Sequence, residues 1–81
     1  MSHADQSPRW RLGRLTVATR GKDGPGEAQF RIRGGTETYI AYCDERLPAG
    51  QEIVCVEWLG SRTVMVEPWG ERIDSPLRLS D

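Results

Sequence analysis

The sequence predicts an all-β chain, a small five-stranded barrel with flexible N- and C-terminal tails. Three observations carry that expectation. Apolar and polar residues alternate with period two in several short stretches, the spacing of half-buried strands and not of helices. Nine glycines and five prolines punctuate only 81 residues, which leaves no room for a long helix. Five short strands in an open sheet would leave two edges unpaired, and closure into a barrel removes them.

Residues 1–9 are polar and without periodicity, so they are expected to form a disordered leader, with the barrel over 10–69 and a tail over 70–81. The first strand lies in WRLGRLTVAT, residues 10–19. Leu15, Val17 and Thr19 alternate there against Thr16 and Ala18, and Gly13 marks a bend or bulge. GKDGPGE, from Gly21 to Glu27, holds three glycines and a proline and reads as a loop. In EAQFRIR, Ala28, Phe30 and Ile32 point one way while Gln29, Arg31 and Arg33 point the other.

Gly34-Gly35 suits a two-residue type I′ turn, which needs positive φ at both positions. That turn would pair Arg33 with Thr36, Ile32 with Glu37, Phe30 with Tyr39 and Ala28 with Ala41. One face of the hairpin then collects Ala28, Phe30, Ile32, Tyr39 and Ala41, a core face. The other collects Arg31, Arg33, Thr36, Thr38, Ile40 and Tyr42, a wet face with two bulky members.

Asp44 to Gln51 is a turn-rich link, too short for more than one helical turn. EIVCVEWL is the fourth strand, Gly60-Ser61 fits a type II′ turn, and RTVMVEPW is the fifth strand, ended by Pro68. That turn would pair Trp58 with Thr63, Glu57 with Val64, Val56 with Met65 and Cys55 with Val66. Both faces of this hairpin are apolar: Ile53, Cys55, Val64 and Val66 on one, Val54, Val56, Trp58 and Met65 on the other. A barrel strand needs one apolar face only. Two readings of the second face stand: a cover supplied by Trp10, Trp69 or the tail through Leu77 and Leu79, or a protein-docking patch anchored by Trp58.

Bulk properties exclude several classes. A net charge of −1 gives no global pull on a polyanion. The charge is uneven, +3 over residues 1–42 and −4 over 43–81. No apolar run reaches the ~18 residues of a membrane span or resembles a signal peptide, so a cytoplasmic chain with reduced thiols at Cys43 and Cys55 is expected.

At the level of motif, the chain resembles the soluble C-terminal β-barrel of the NfeD-like family, an OB-fold-type domain. The resemblance spans roughly residues 11–69. It rests on Gly13 with Leu15, the GPGE loop, FRIRGGTETYIAY with Ala41, and the link ending in LPAG. The spacing Ile53-x-Cys55, Gly60, Val64-x-Val66 and Pro68 closes it. The family's barrel usually follows membrane helices, sometimes with a serine protease domain, and works with flotillin- and stomatin-type membrane proteins. Neither accompanying part is visible in this sequence. What the resemblance implies is therefore the barrel and a partner-binding role, with a flotillin- or stomatin-like protein, or a second copy of the chain, as partner. Recruitment to a membrane would then come through that partner, without direct insertion. The family's barrel offers no catalytic residues to carry over.

Reading the residues for chemistry points the same way: no enzyme, no cofactor and no metal are expected. The cysteines stand twelve apart and the only histidine, His3, lies in the leader, whereas structural zinc wants four converging ligands with close cysteine spacing. Cys55 alternates with Ile53 and reads as a small packed side chain. Ser61 lacks the flanking glycine of a nucleophile elbow. Glu57 and Glu67 fall on opposite faces in the expected register and make no acid–base pair. GKDGPG leads into a strand, not the helix that a phosphate-binding loop requires. The alternative to protein docking is single-stranded nucleic acid on the strand 2–3 face, through Arg31, Arg33 and Tyr42. Sequence-tolerant binders display several outward aromatics, and this face offers one.

Overall fold

The strands β1 (Leu12–Val17), β2 (Gly26–Ile32), β3 (Gly35–Tyr42), β4 (Glu52–Gly60) and β5 (Thr63–Pro68) close into a barrel in the order β1-β2-β3-β5-β4. The computed structural model describes residues 8–71. The leader before residue 8 and the tail after residue 71, with His3, Ile73, Leu77 and Leu79, lie outside them. The only helical element among the described residues is one 3-10 turn, Gly21–Asp23, inside the glycine-rich loop.

Alternation decides what goes inside. β2 runs Gly26–Ile32 with every second residue buried, so Ala28, Phe30 and Ile32 point in while Glu27, Gln29 and Arg31 point out. β3 answers with Tyr39 and Ala41, β4 with Ile53 and Cys55, and β5 with Val64 and Val66. Phe30 and Val66 are each 1% exposed, which fixes the inside of the cylinder. Leu47 and Cys43, from the β3–β4 link, complete this core.

The β2–β3 register differs from the one expected at Gly34-Gly35. Ile32 pairs with Gly35, Phe30 with Glu37, Ala28 with Tyr39 and Gly26 with Ala41. The reversal sits at Arg33-Gly34, with φ of 55° and 82°. The offset is two residues, so every side chain keeps its face. The physical gain is packing. Tyr39 sits opposite a small alanine instead of a second large ring, and Phe30 reaches it diagonally, edge to face, with centroids 5.8 Å apart.

The β4–β5 hairpin departs further. Its turn is at Ser61-Arg62, both with positive φ, and not at Gly60-Ser61. Cys55 does pair with Val66, as expected, but bulges lie between Cys55 and Glu57 and between Trp58 and Gly60. They bring Glu57 opposite Met65 and Trp58 opposite Val64. Each bulge leaves one β4 residue, Val56 or Leu59, without a direct partner and re-aims the strand.

β1 also bulges, at Thr16 and not at Gly13: Leu15 pairs with Ala28, but Val17 with Glu27. Leu15 and Thr19 are consequently buried while Val17 faces out. Gly13 has another reason to be glycine. It sits inward, opposite Phe30, where an added Cβ would stand 2.5 Å from the Gln29 carbonyl and 2.7 Å from the Phe30 ring.

Two seams seal the cylinder. β1 joins β4 antiparallel, from Leu12 opposite Val54 to Arg14 opposite Glu52. β3 joins β5 parallel over only three pairs, Ile40–Thr63, Ala41–Val64 and Tyr42–Met65. Where these two strands splay apart, the Arg62 guanidinium takes over. It donates to the Thr38 carbonyl at 2.9 Å and to Glu37 at 2.8 Å, and lies 4.8 Å from the Tyr39 ring.

Candidate functional site: an apolar groove outside the barrel

The inward side chains form one buried core, and depressions outside it open on the surface. On the outside of β3, β5 and β4 two adjoining depressions share Cys43, Asp44 and Met65. The first, of about 380 Å³, is walled by Tyr42, Leu59 and Met65, with Gly21, Lys22 and Gly24 of the glycine-rich loop along its other side. The second, of about 250 Å³, is walled by Val56, Met65 and Pro68, and carries Asp44, Glu45 and Glu67. Together they form one groove with Met65 at its middle.

Each wall has a local cause. The parallel pair Tyr42–Met65 sets a β3 aromatic beside a β5 thioether on the outer face. Val56 and Leu59, the two residues without direct partners in the β4 bulges, each line one of the depressions. Glu67 stands on β5, and Asp44 and Glu45 are held by the β3–β4 link, which Thr19 pins from beyond the end of β1. Its hydroxyl donates to the Glu45 carbonyl at 2.7 Å and accepts from the Leu47 amide at 2.9 Å. The bond from Leu47 is buried and shielded from water, and the one to Glu45 is partly so.

The electrostatics are one-sided. Burial raises the Cys43 thiol above its ordinary value; the hydrogen bond from the Glu45 amide opposes that rise, and the Glu45, Asp44 and Glu67 carboxylates add to it. Lys22 is the only cationic side chain lining either depression. The ion pairs Arg46–Asp23 and Arg62–Glu37 engage neither Asp44 nor Glu67.

The four residues expected to form a docking patch are placed as follows. Val56 and Met65 line the groove. Val54 also faces outward, paired with Glu67 on one side and Leu12 on the other, one step round the barrel. Trp58 does not share their face. The bulge at Val56 inverts the alternation and pairs Trp58 with inward-facing Val64, and its side chain is nevertheless 51% exposed. Trp10 and Trp69, alternatives to the tail in the covered-face reading, are themselves exposed. The sequence reading missed Leu59, Asp44, Glu45 and Glu67, and assigned Tyr42 to the alternative site. The acidic pair was visible in the link. The Tyr42–Met65 contact was not, because it joins strands distant in sequence.

Arg31, Arg33 and Tyr42 do not come together. Arg31 pairs with Thr36 near the hairpin tip and Arg33 lies in the turn, whereas Tyr42 closes the strand's other end. Six residues of extended strand separate Thr36 from Tyr42, roughly 20 Å. Arg31 and Arg14 instead flank a separate hollow on the β1–β2 side, about 340 Å³, with Gln29, Thr36 and Glu52.

Among the described residues no group of three His, Cys, Asp or Glu side chains could hold a metal ion. Cys43 and Cys55 are both buried and free. No helix among these residues is long and apolar enough to cross a membrane.

A closed barrel of this strand order is the OB type, five strands with a parallel β3–β5 seam. The family model for the NfeD C-terminal domain matches residues 12–67, nearly the whole barrel, and the chain belongs to that family. It is also similar to a solved structure, the solution structure of the soluble domain of the NfeD protein YuaF from Bacillus subtilis. That similarity covers 85% of this chain and 82% of the other, at 24% identity and a TM-score of 0.68, and shows a common fold. No curated protein matches the chain.

Proposed function

We propose that this barrel is a non-catalytic protein-interaction module that docks a protein partner in the groove between β3, β5 and β4. The observation that carries the reading is an outward apolar row, Val56, Leu59, Met65 and Tyr42, on a cylinder whose inward row already forms a complete core. An apolar wall of this kind costs free energy in water unless something covers it for part of its working life. Membership of the NfeD C-terminal family supports a binding role over a chemical one. The partner type we favour is the flotillin- or stomatin-like membrane-associated protein. The domain would then work in the cytoplasm and reach a membrane through that partner, not through strands or helices of its own.

Met65→Glu tests the reading directly, with circular dichroism for folding and sedimentation or affinity capture for association. Met65 is half-buried on the outer face, so the barrel is expected to fold while capture of a flotillin- or stomatin-type partner falls away. Trp58→Glu is the companion. Trp58 is away from the groove, so its loss is expected to leave both folding and capture in place. Unchanged capture by the Met65 variant would remove the docking role from this groove.

A further inference from the structure

We infer that the segment received by the groove is basic and apolar, a peptide stretch in which aliphatic or aromatic side chains alternate with arginine or lysine. The inference rests on the docking role proposed above and adds the chemistry of the occupant. Its basis is the complementarity of two walls. Tyr42, Leu59, Met65, Val56 and Pro68 supply apolar surface, and the volumes beside them, about 380 and 250 Å³, suit side chains and not whole ligands. Asp44, Glu45 and Glu67 stand at the second depression, and Glu57 is the direct β4 partner of Met65. Asp44, Glu57 and Glu67 are without an ion-pair partner among the described residues, while Arg14 and Arg31 lie across the barrel, beside the β1–β2 hollow.

An acidic segment would meet like charge at Asp44, Glu57 and Glu67, and a neutral one would leave those three carboxylates partly desolvated without partners. A second copy of this chain would have to bring its β1–β2 arginines into the groove, a head-to-tail contact that does not close into a dimer. The exposed large apolar side chains that β1 and β2 would bring to the depressions are Leu12 and Val17 alone. A foreign basic–apolar stretch satisfies both walls at once.

The test is selection of random dodecapeptides displayed on phage against the immobilised domain, with anisotropy measurements on the labelled winners. Winners are expected to carry two or more Arg or Lys residues interleaved with Leu, Ile, Phe or Trp. Their affinity is expected to drop roughly three- to tenfold in Asp44→Asn/Glu67→Gln, the loss of two exposed charge pairs, and to fall between 50 and 200 mM salt. Met65→Ser should weaken the same peptides, with circular dichroism confirming the fold of each variant. Winners that depend on Met65 but lack basic residues would overturn the chemistry and leave the docking groove standing. Basic winners indifferent to both variants, or no enrichment over an unrelated barrel, would overturn both. Concentration-dependent self-association abolished by Arg31→Glu would replace the peptide with a second copy.

Discussion

Gly13 shows how a single position can be read correctly as necessary and wrongly as to cause. Its neighbours suggest a bend in β1, but the strand bulges at Thr16, and what Gly13 provides is room for the Phe30 ring. A methyl there must displace either that ring or the Gln29 carbonyl, a backbone group with nowhere to go. Gly13→Ala is therefore expected to cost about 1–3 kcal/mol. A urea midpoint equal to wild type would show that the ring relaxes freely. The cysteines make a second case. Both thiols are pushed up, by burial first of all, so each keeps its proton to higher pH in the folded chain than in the unfolded one. Above about pH 8.5 the unfolded chain therefore binds fewer protons, and stability falls as pH rises through the folded values. Below that range the thiols leave stability flat. Urea midpoints from pH 7 to 10 should decline more steeply for wild type than for Cys43→Ala/Cys55→Ala, and parallel curves would contradict the assignment.

Hairpins carry most of what separates the expected from the observed elements. Both strands of the β2–β3 ribbon were legible, because a strict period of two names the inward residues whatever the register. The register itself was not legible. Gly34-Gly35 is the better turn by local preference, and Arg33-Gly34 wins because the core prefers Ala28, not Phe30, opposite Tyr39. Arg33 then bears a φ of 55°, a conformation that asparagine adopts more readily. Arg33→Asn, giving an Asn-Gly turn, is expected to raise stability by about 0.5–1 kcal/mol in thermal or urea unfolding. No gain would point back to a reversal at Gly34-Gly35. In β4 the alternation misled, since two bulges within six residues carry Trp58 off the face where a regular strand would put it. Nothing in EIVCVEWLG announces those bulges, which answer to the closure of the whole cylinder.

At the scale of the molecule, closure was the most legible property and the site the least. Short alternating stretches separated by glycine-rich turns leave few ways to hide two edges, and the barrel follows. The groove depends on contacts that sequence does not order: the parallel seam of β3 on β5, the Thr19 bonds that fix the acidic link, and the bulges that turn Val56 and Leu59 toward Met65. What sequence did offer was the surplus, a second apolar face that the interior could not use. The most direct test of that surplus as a docking site is the set of backbone amide chemical shifts of the labelled domain, titrated with the soluble part of a flotillin- or stomatin-type protein. The shifts are expected to concentrate at Tyr42–Glu45, Val56, Leu59 and Met65–Glu67, with the β1–β2 arginines unmoved. Perturbations centred on Arg14 and Arg31, or none at a saturating concentration, would contradict it.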